Sequence, residues 1–212
     1  MTRHALSERH LLCDELDRLG PEADTINDGW QAKDLAAHLV IRETRPDLII
    51  GAFVPALSGR LDSGMARMAS GDFSALVRRV RSGPAAWNPM SLAAVDERVN
   101  LSEFFIHGED LRRAQPDWVP RELGVDLEQA LWSTIRAASK LMLRKAPTGV
   151  VLLAEGLGRH AAKAPGEHGT VVVRGAVGEL MLFASGRARV ARVTFEGDDA
   201  DVAALRAADL GM

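Results

Sequence analysis

Apolar positions recur at helical spacing through the first two-thirds of the chain. Leu6, Leu11, Leu12, Leu16 and Leu19 stand among charges, which predicts an amphipathic helix over 1–20 that Gly20-Pro21 stops. A turn-rich stretch through Asp28-Gly29 leads to a second helix from about Gln31, with Ala32, Leu35, Ala36, Leu39 and Val40 as its apolar stripe. Asp34 falls in its first turn, where a carboxylate suits the positive end of the helix dipole, and Pro46 either kinks the helix or restarts it. The stripe Met65, Met68, Phe73, Leu76, Val77 and Val80 predicts one helix over 64–82, and Gly83-Pro84 and Asn88-Pro89 mark a loop after it. A fourth helix is expected over 91–114, ended by Pro116 and Pro120, and a fifth over 126–145.

After Pro147 the period changes. The runs 149–153, 170–173 and 190–195 are β-branched and bounded by glycines, so they predict strands. Short helices are expected over 176–185 and 198–208. Helices followed by a small mixed sheet make a mainly α chain, either as two domains or as one helical domain with an α+β appendage.

Composition fits that picture. The chain has 212 residues, 47% hydrophobic and 26% charged, which is globular rather than disordered. A net charge of −3 argues against a nucleic-acid binder that works by neutralising phosphates. The apolar run 48–57 contains Pro55 and is too short for a membrane span. Nothing at the start reads as a signal peptide, so a cytoplasmic location is expected. The single cysteine, Cys13, excludes an internal disulfide and a thiolate-rich zinc site. The scarcity of lysine beside arginine hints at a GC-rich bacterial, actinobacterial source.

The candidate chemistry lies on the second and fourth helices. Glu103 and His107 are spaced i, i+4 and share a face, and His38 lies on an alanine- and leucine-rich helix. Two imidazoles and a carboxylate make an open-sided donor set of the kind that holds catalytic zinc with one position left for water or substrate. Spacing alone leaves the plain readings open: a Glu–His pair is common on helix surfaces, and a histidine on an apolar face is often a hydrogen-bonded core residue.

Two segments carry a family resemblance. Gly29-Trp30 with Asp34-Leu35-Ala36-Ala37-His38-Leu39 resembles the W-x-x-x-D-L-x-x-H-L segment of the DinB-like metal-binding bundles, and Asn100, Glu103-Phe104-Phe105, His107 and Glu109-Asp110 resemble the matching second segment. Within that superfamily the chain is most similar to the mycothiol-dependent maleylpyruvate isomerase group. The ending Glu109 to Pro116 resembles an actinobacterial metal-binding branch of it. The likeness implies a DinB-like four-helix bundle over residues 1–120, followed over 121–212 by a helix and a small α+β domain. Arg174-Gly175-Ala176 and Glu196-Gly197-Asp198 resemble the sterol-carrier-like domain fused to such bundles. It implies that His38, Glu103 and His107 ligate a divalent metal, zinc above all, with mycothiol as co-substrate. Gln31 departs from the pattern, standing where relatives carry a Ser or Thr cap. Metal would hold the thiol as thiolate for isomerisation or S-transfer on a small electrophilic or carboxylate substrate, with no nucleic acid or membrane as partner. The alternative is a non-catalytic metal-binding module for a small ligand or partner. The resemblance fixes neither the substrate, the catalytic residues nor the oligomeric state.

Other residues invite lesser roles. Asp110 is placed either to orient an imidazole or to pair with Arg113. Arg42, Arg45, Arg112 and Arg113 are candidates to hold carboxylates of thiol or substrate, and Arg112 and Arg113 equally suit a helix C-terminus. Cys13, beside His10, reads as a small core residue, His160 and His168 read as solvent-facing, and Trp30, Trp87, Trp118 and Trp132 read as anchors of a core or domain interface. Gly156-Leu157-Gly158 lacks the third glycine and following helix of a dinucleotide loop.

Overall fold

A computed structural model describes residues 3–49, 54, 58–85, 88 and 91–211. Trp87, Pro89 and most of the apolar run 48–57, Pro55 included, lie outside the described residues. The architecture is helix-rich with one small sheet, and the chain forms two compact units, Met1–Trp118 and Val119–Met212. No helix among the described residues is long and apolar enough to cross a membrane.

The first unit is helical: α1 (His4–Leu19), α2 (Ala32–Thr44), α3 (Pro46–Ile49), α4 (Ser58–Ala69), α5 (Phe73–Ser82) and α6 (Ala93–Arg112). Leu12 and Leu16 of α1, Leu35 and Leu39 of α2, Leu76, Val77 and Val80 of α5, and Phe104 and Leu111 of α6 close one core. Pro46 opens α3 after Arg45, as proline in general suits a first helical turn and not an interior one. The expected helix 64–82 is two helices. Ser70 and Gly71 end α4, and the Asp72 side chain accepts the Ala75 N–H at 3.2 Å to cap α5. At α2 the Asp34 carboxylate accepts the Gln31 N–H at 3.0 Å, so a first-turn acid ties down the end where a Ser or Thr cap was missing. Gln31 itself donates its side-chain amide to the Glu22 carbonyl.

The second unit holds α7 (Val125–Met142), β1 (Gly149–Ala154), β2 (Gly158–Lys163), β3 (Thr170–Gly175), α8 (Val177–Ala184), β4 (Thr194–Glu196) and α9 (Asp199–Ala207). The strand order is β2-β1-β3-β4, with β1 parallel to β3 and antiparallel to β2. Val150, Leu152, Val171 and Val173 are buried on the sheet, and α8 is buried along its whole length.

Two strand expectations change. Strand β2 is an edge strand of sequence GRHAAK in which Ala162 is fully buried and Gly158 and Arg159 are exposed, so no hydrophobic alternation announced it. The run 190–195 pairs only from Thr194. The N–H groups of Val190 and Ala191 turn back to the Arg187 carbonyl, and the Arg192 N–H is taken by Glu179 Oε2 at 2.7 Å, so none of the three is available to a ladder.

Candidate metal centre

Helices α2 and α6 bring together residues far apart in sequence. Gly29-Trp30 and the Asp34 tie set where α2 begins, and the inward stripe of Leu35, Ala36 and Leu39 then fixes which way His38 points. On α6 the stretch Phe104 to Leu111 is buried on every side, so the polar groups within it need partners inside the protein. One donor atom each from His38, Glu103 and His107 lies within 4.8 Å of the others. His107 Nε2 stands 3.6 Å from Glu103 Oε2, and the rings of His38 and His107 meet edge to face with centroids 5.1 Å apart. Trp30 packs on the His38 ring at 5.1 Å. Two imidazoles and one carboxylate at this spacing suit a borderline-soft divalent cation such as zinc.

The surroundings orient these groups. His107 Nδ1 lies 2.9 Å from Asp110 Oδ2, and because an ionised carboxylate only accepts, Nδ1 carries the proton and donates. That leaves Nε2 as the lone-pair nitrogen on the Glu103 side. Asn27 donates to the same Asp110 oxygen at 3.0 Å. Asp110 thus contacts the imidazole, as one of the two roles considered for it requires, and Arg113 binds Glu109 at 2.6 Å and lies over the Trp118 ring.

Electrostatics follow from burial and charge. Burial alone would raise the Glu103 carboxyl, but the His107 hydrogen bond and the charges of Arg42, His107 and His38 outweigh it and hold it at about 2. Burial alone would lower the His107 imidazole, and the bonds to Asp110 and Glu103 overturn that and raise it.

The arginines proposed from position as carboxylate holders are engaged within the chain. Arg42 Nε is 3.2 Å from Glu103 Oε2, Arg45 pairs with Asp47, and Arg112 pairs with Glu109 at 3.1 Å. Cys13 is buried, with its thiol toward the Val77 carbonyl, as a core residue should be. His168 is exposed and pairs with Asp201. His160 is not a solvent residue: on β2 it bonds the buried Ser139 hydroxyl at 2.8 Å and meets Trp132 edge to face.

Sequence reasoning missed a buried polar cluster beside the site. Arg9, 2% exposed, donates from Nη1 to Glu43 Oε2 and the Val80 carbonyl, both at 2.8 Å, and from Nη2 to Asp96 Oδ1 at 3.2 Å. It also stacks over the Phe104 ring at 4.3 Å. Asn100, wholly buried, donates to Asp96 at 2.7 Å and to Glu43 at 3.3 Å. The available signal was charges at inward positions of otherwise apolar stripes, such as Arg9 one turn before Cys13.

No family model and no curated protein matches the sequence. The fold does match solved structures. A crystal structure of the mycothiol-dependent maleylpyruvate isomerase superposes with a TM-score of 0.60 at 20% identity, over 91% of this chain and 90% of that one. A histidine-to-alanine mutant described by the same enzyme name superposes with a TM-score of 0.51 at 18% identity, over 92% and 96%. At such identities the likeness is one of fold.

Proposed function

We propose that His38, Glu103 and His107 hold one divalent metal ion, zinc by the chemistry of the donors, and that the protein is a mycothiol-dependent isomerase or S-transferase acting on a small electrophilic substrate. The observation that carries this is the convergence of three donors from α2 and α6 within 4.8 Å. The fold likeness to a mycothiol-dependent isomerase supports the choice of thiol. The first unit is then a DinB-like metal-binding bundle and the second a sterol-carrier-like appendage, in an actinobacterial cytoplasm.

When bound, the ion supplies a Lewis acid that lowers the pKa of a thiol at its remaining position. The chain's own groups prepare for that. Asp110 holds the proton on His107 Nδ1 and so keeps Nε2 as a donor. Glu103 stays a carboxylate across the physiological range. Trp30 covers one side of His38 and limits the motion of its ring.

A non-catalytic metal-binding module is the second reading. It is favoured by the pairing of Arg42 with Glu103 and of Arg112 and Arg113 with Glu109, which engages cations a carboxylate substrate would use. The deciding experiment is metal analysis of untagged protein, then calorimetric titration of loaded and metal-stripped protein with mycothiol. Metal-dependent binding that releases a proton is expected. No metal in the purified protein overturns the reading, and loaded protein that ignores millimolar thiol leaves the module.

A further inference from the structure

We infer that Arg42 is the positioning residue for Glu103, and that it acts as the near end of a buried polar chain anchored on Arg9. The inference rests on the metal reading above and adds what sets the third donor in place.

All three guanidinium nitrogens of Arg42 engage one stretch of α6. Nε lies 3.2 Å from Glu103 Oε2, Nη2 donates to the Val99 carbonyl at 3.1 Å, and Nη1 donates to Asn100 Oδ1. A planar, rigid fork fixed at two points on α6 dictates where its third nitrogen, and the carboxylate on it, must sit. Without that grip a glutamate on a helix samples several rotamers, and few of them reach across to His38.

The grip is itself held from the interior. Asn100 shows its carbonyl to Arg42 only because its amide nitrogen is claimed by Asp96 at 2.7 Å and Glu43 at 3.3 Å. Reversing the amide would set its oxygen against two carboxylates and its N–H₂ against a guanidinium. Glu43 and Asp96 in turn are fixed by Arg9, which is 2% exposed and has no room to move. The order Arg9, Glu43 with Asp96, Asn100, Arg42, Glu103 thus runs from α1 through α2 and α6 to the three-donor centre. A plain structural ion pair between α2 and α6 would need only one contact, whereas Arg42 makes three.

The test is a cycle on the intact protein: wild type, Arg42→Lys, Glu103→Gln and the double variant. Each is titrated with zinc in competition with a chromophoric chelator and with cobalt(II), followed by its visible absorption. Circular dichroism checks folding, and Arg42→Gln stands in should the lysine variant not fold. Lysine keeps the charge but cannot hold three acceptors in one plane. Arg42→Lys is expected to weaken zinc about tenfold or more and to alter the cobalt spectrum, as loss of an outer partner of a ligand does. In the Glu103→Gln background the same change should do neither, because the effect passes through Glu103. Wild type that loads metal beside an Arg42→Lys variant of equal affinity and spectrum overturns the inference alone. So does an effect that persists undiminished without Glu103. Wild type that takes up no metal overturns the metal reading and this inference with it.

Discussion

His107 Nδ1 and Asp110 Oδ2, one turn apart on α6, stand 2.9 Å from each other with both groups buried. The carboxylate fixes the tautomer of the ring. Asp110→Asn offers an N–H instead and favours the proton on the other nitrogen, the one facing Glu103. Zinc affinity is expected to fall about 10- to 100-fold while the helical content is kept, read by competition titration and circular dichroism.

Arg9 pairs with two buried carboxylates, Glu43 and Asp96. Arg9→Met keeps much of the bulk over Phe104 but leaves both charges in the interior without their cation. Denaturant unfolding should show a loss of about 3–5 kcal/mol. The joint change Arg9→Met, Glu43→Gln, Asp96→Asn should recover part of it.

Burial pushes the Cys13 thiol up to about 12 from an ordinary 9.0, against the opposing charges of Arg81 and Arg9. At pH 8 the folded protein should resist iodoacetamide and react only when unfolded. The raised value also sets a sign. Below pH 9 the thiol is protonated in both states and its contribution to stability is intact. Between 9 and 12 only the unfolded chain ionises it, so stability falls as pH rises. Cys13→Ala should flatten that part of the stability curve.

Gly186 has φ +89°, and a Cβ there would clash with the Leu210 carbonyl oxygen. Gly186→Ala therefore combines a strained backbone with a backbone clash that no side-chain rotation relieves. A loss above about 1 kcal/mol is expected from thermal unfolding.

The sequence stripes of leucine and alanine announced α1, α2 and α7 because each of these helices buries a continuous face, while α6 was marked by the prolines that follow it. They merged α4 with α5, since the apolar period runs on across Gly71 and only the Asp72 cap marks the break. Strand β2 escaped because an edge strand buries little, and β4 came out shorter because the Glu179 side chain claims a backbone N–H. At the site, the Glu103–His107 spacing and the two segment likenesses pointed to the residues that converge with His38. The role of Asn100 beside them was not legible. Its partners Glu43 and Arg42 come from another helix, and which polar side chains meet across helices depends on packing that spacing within one helix does not encode.

Helix α1 offers no donor to the three-residue centre, yet Arg9 touches α2 at Glu43, α5 at the Val80 carbonyl and α6 at Asp96. Leucines are interchangeable as neighbours, so an apolar seam by itself tolerates slippage. A guanidinium that must meet three specific acceptors does not. Moving α1 by one residue turns it by about 100° and withdraws Arg9 from all of them at once. In Arg9, α1 therefore carries a side chain that admits a single alignment with α2, α5 and α6.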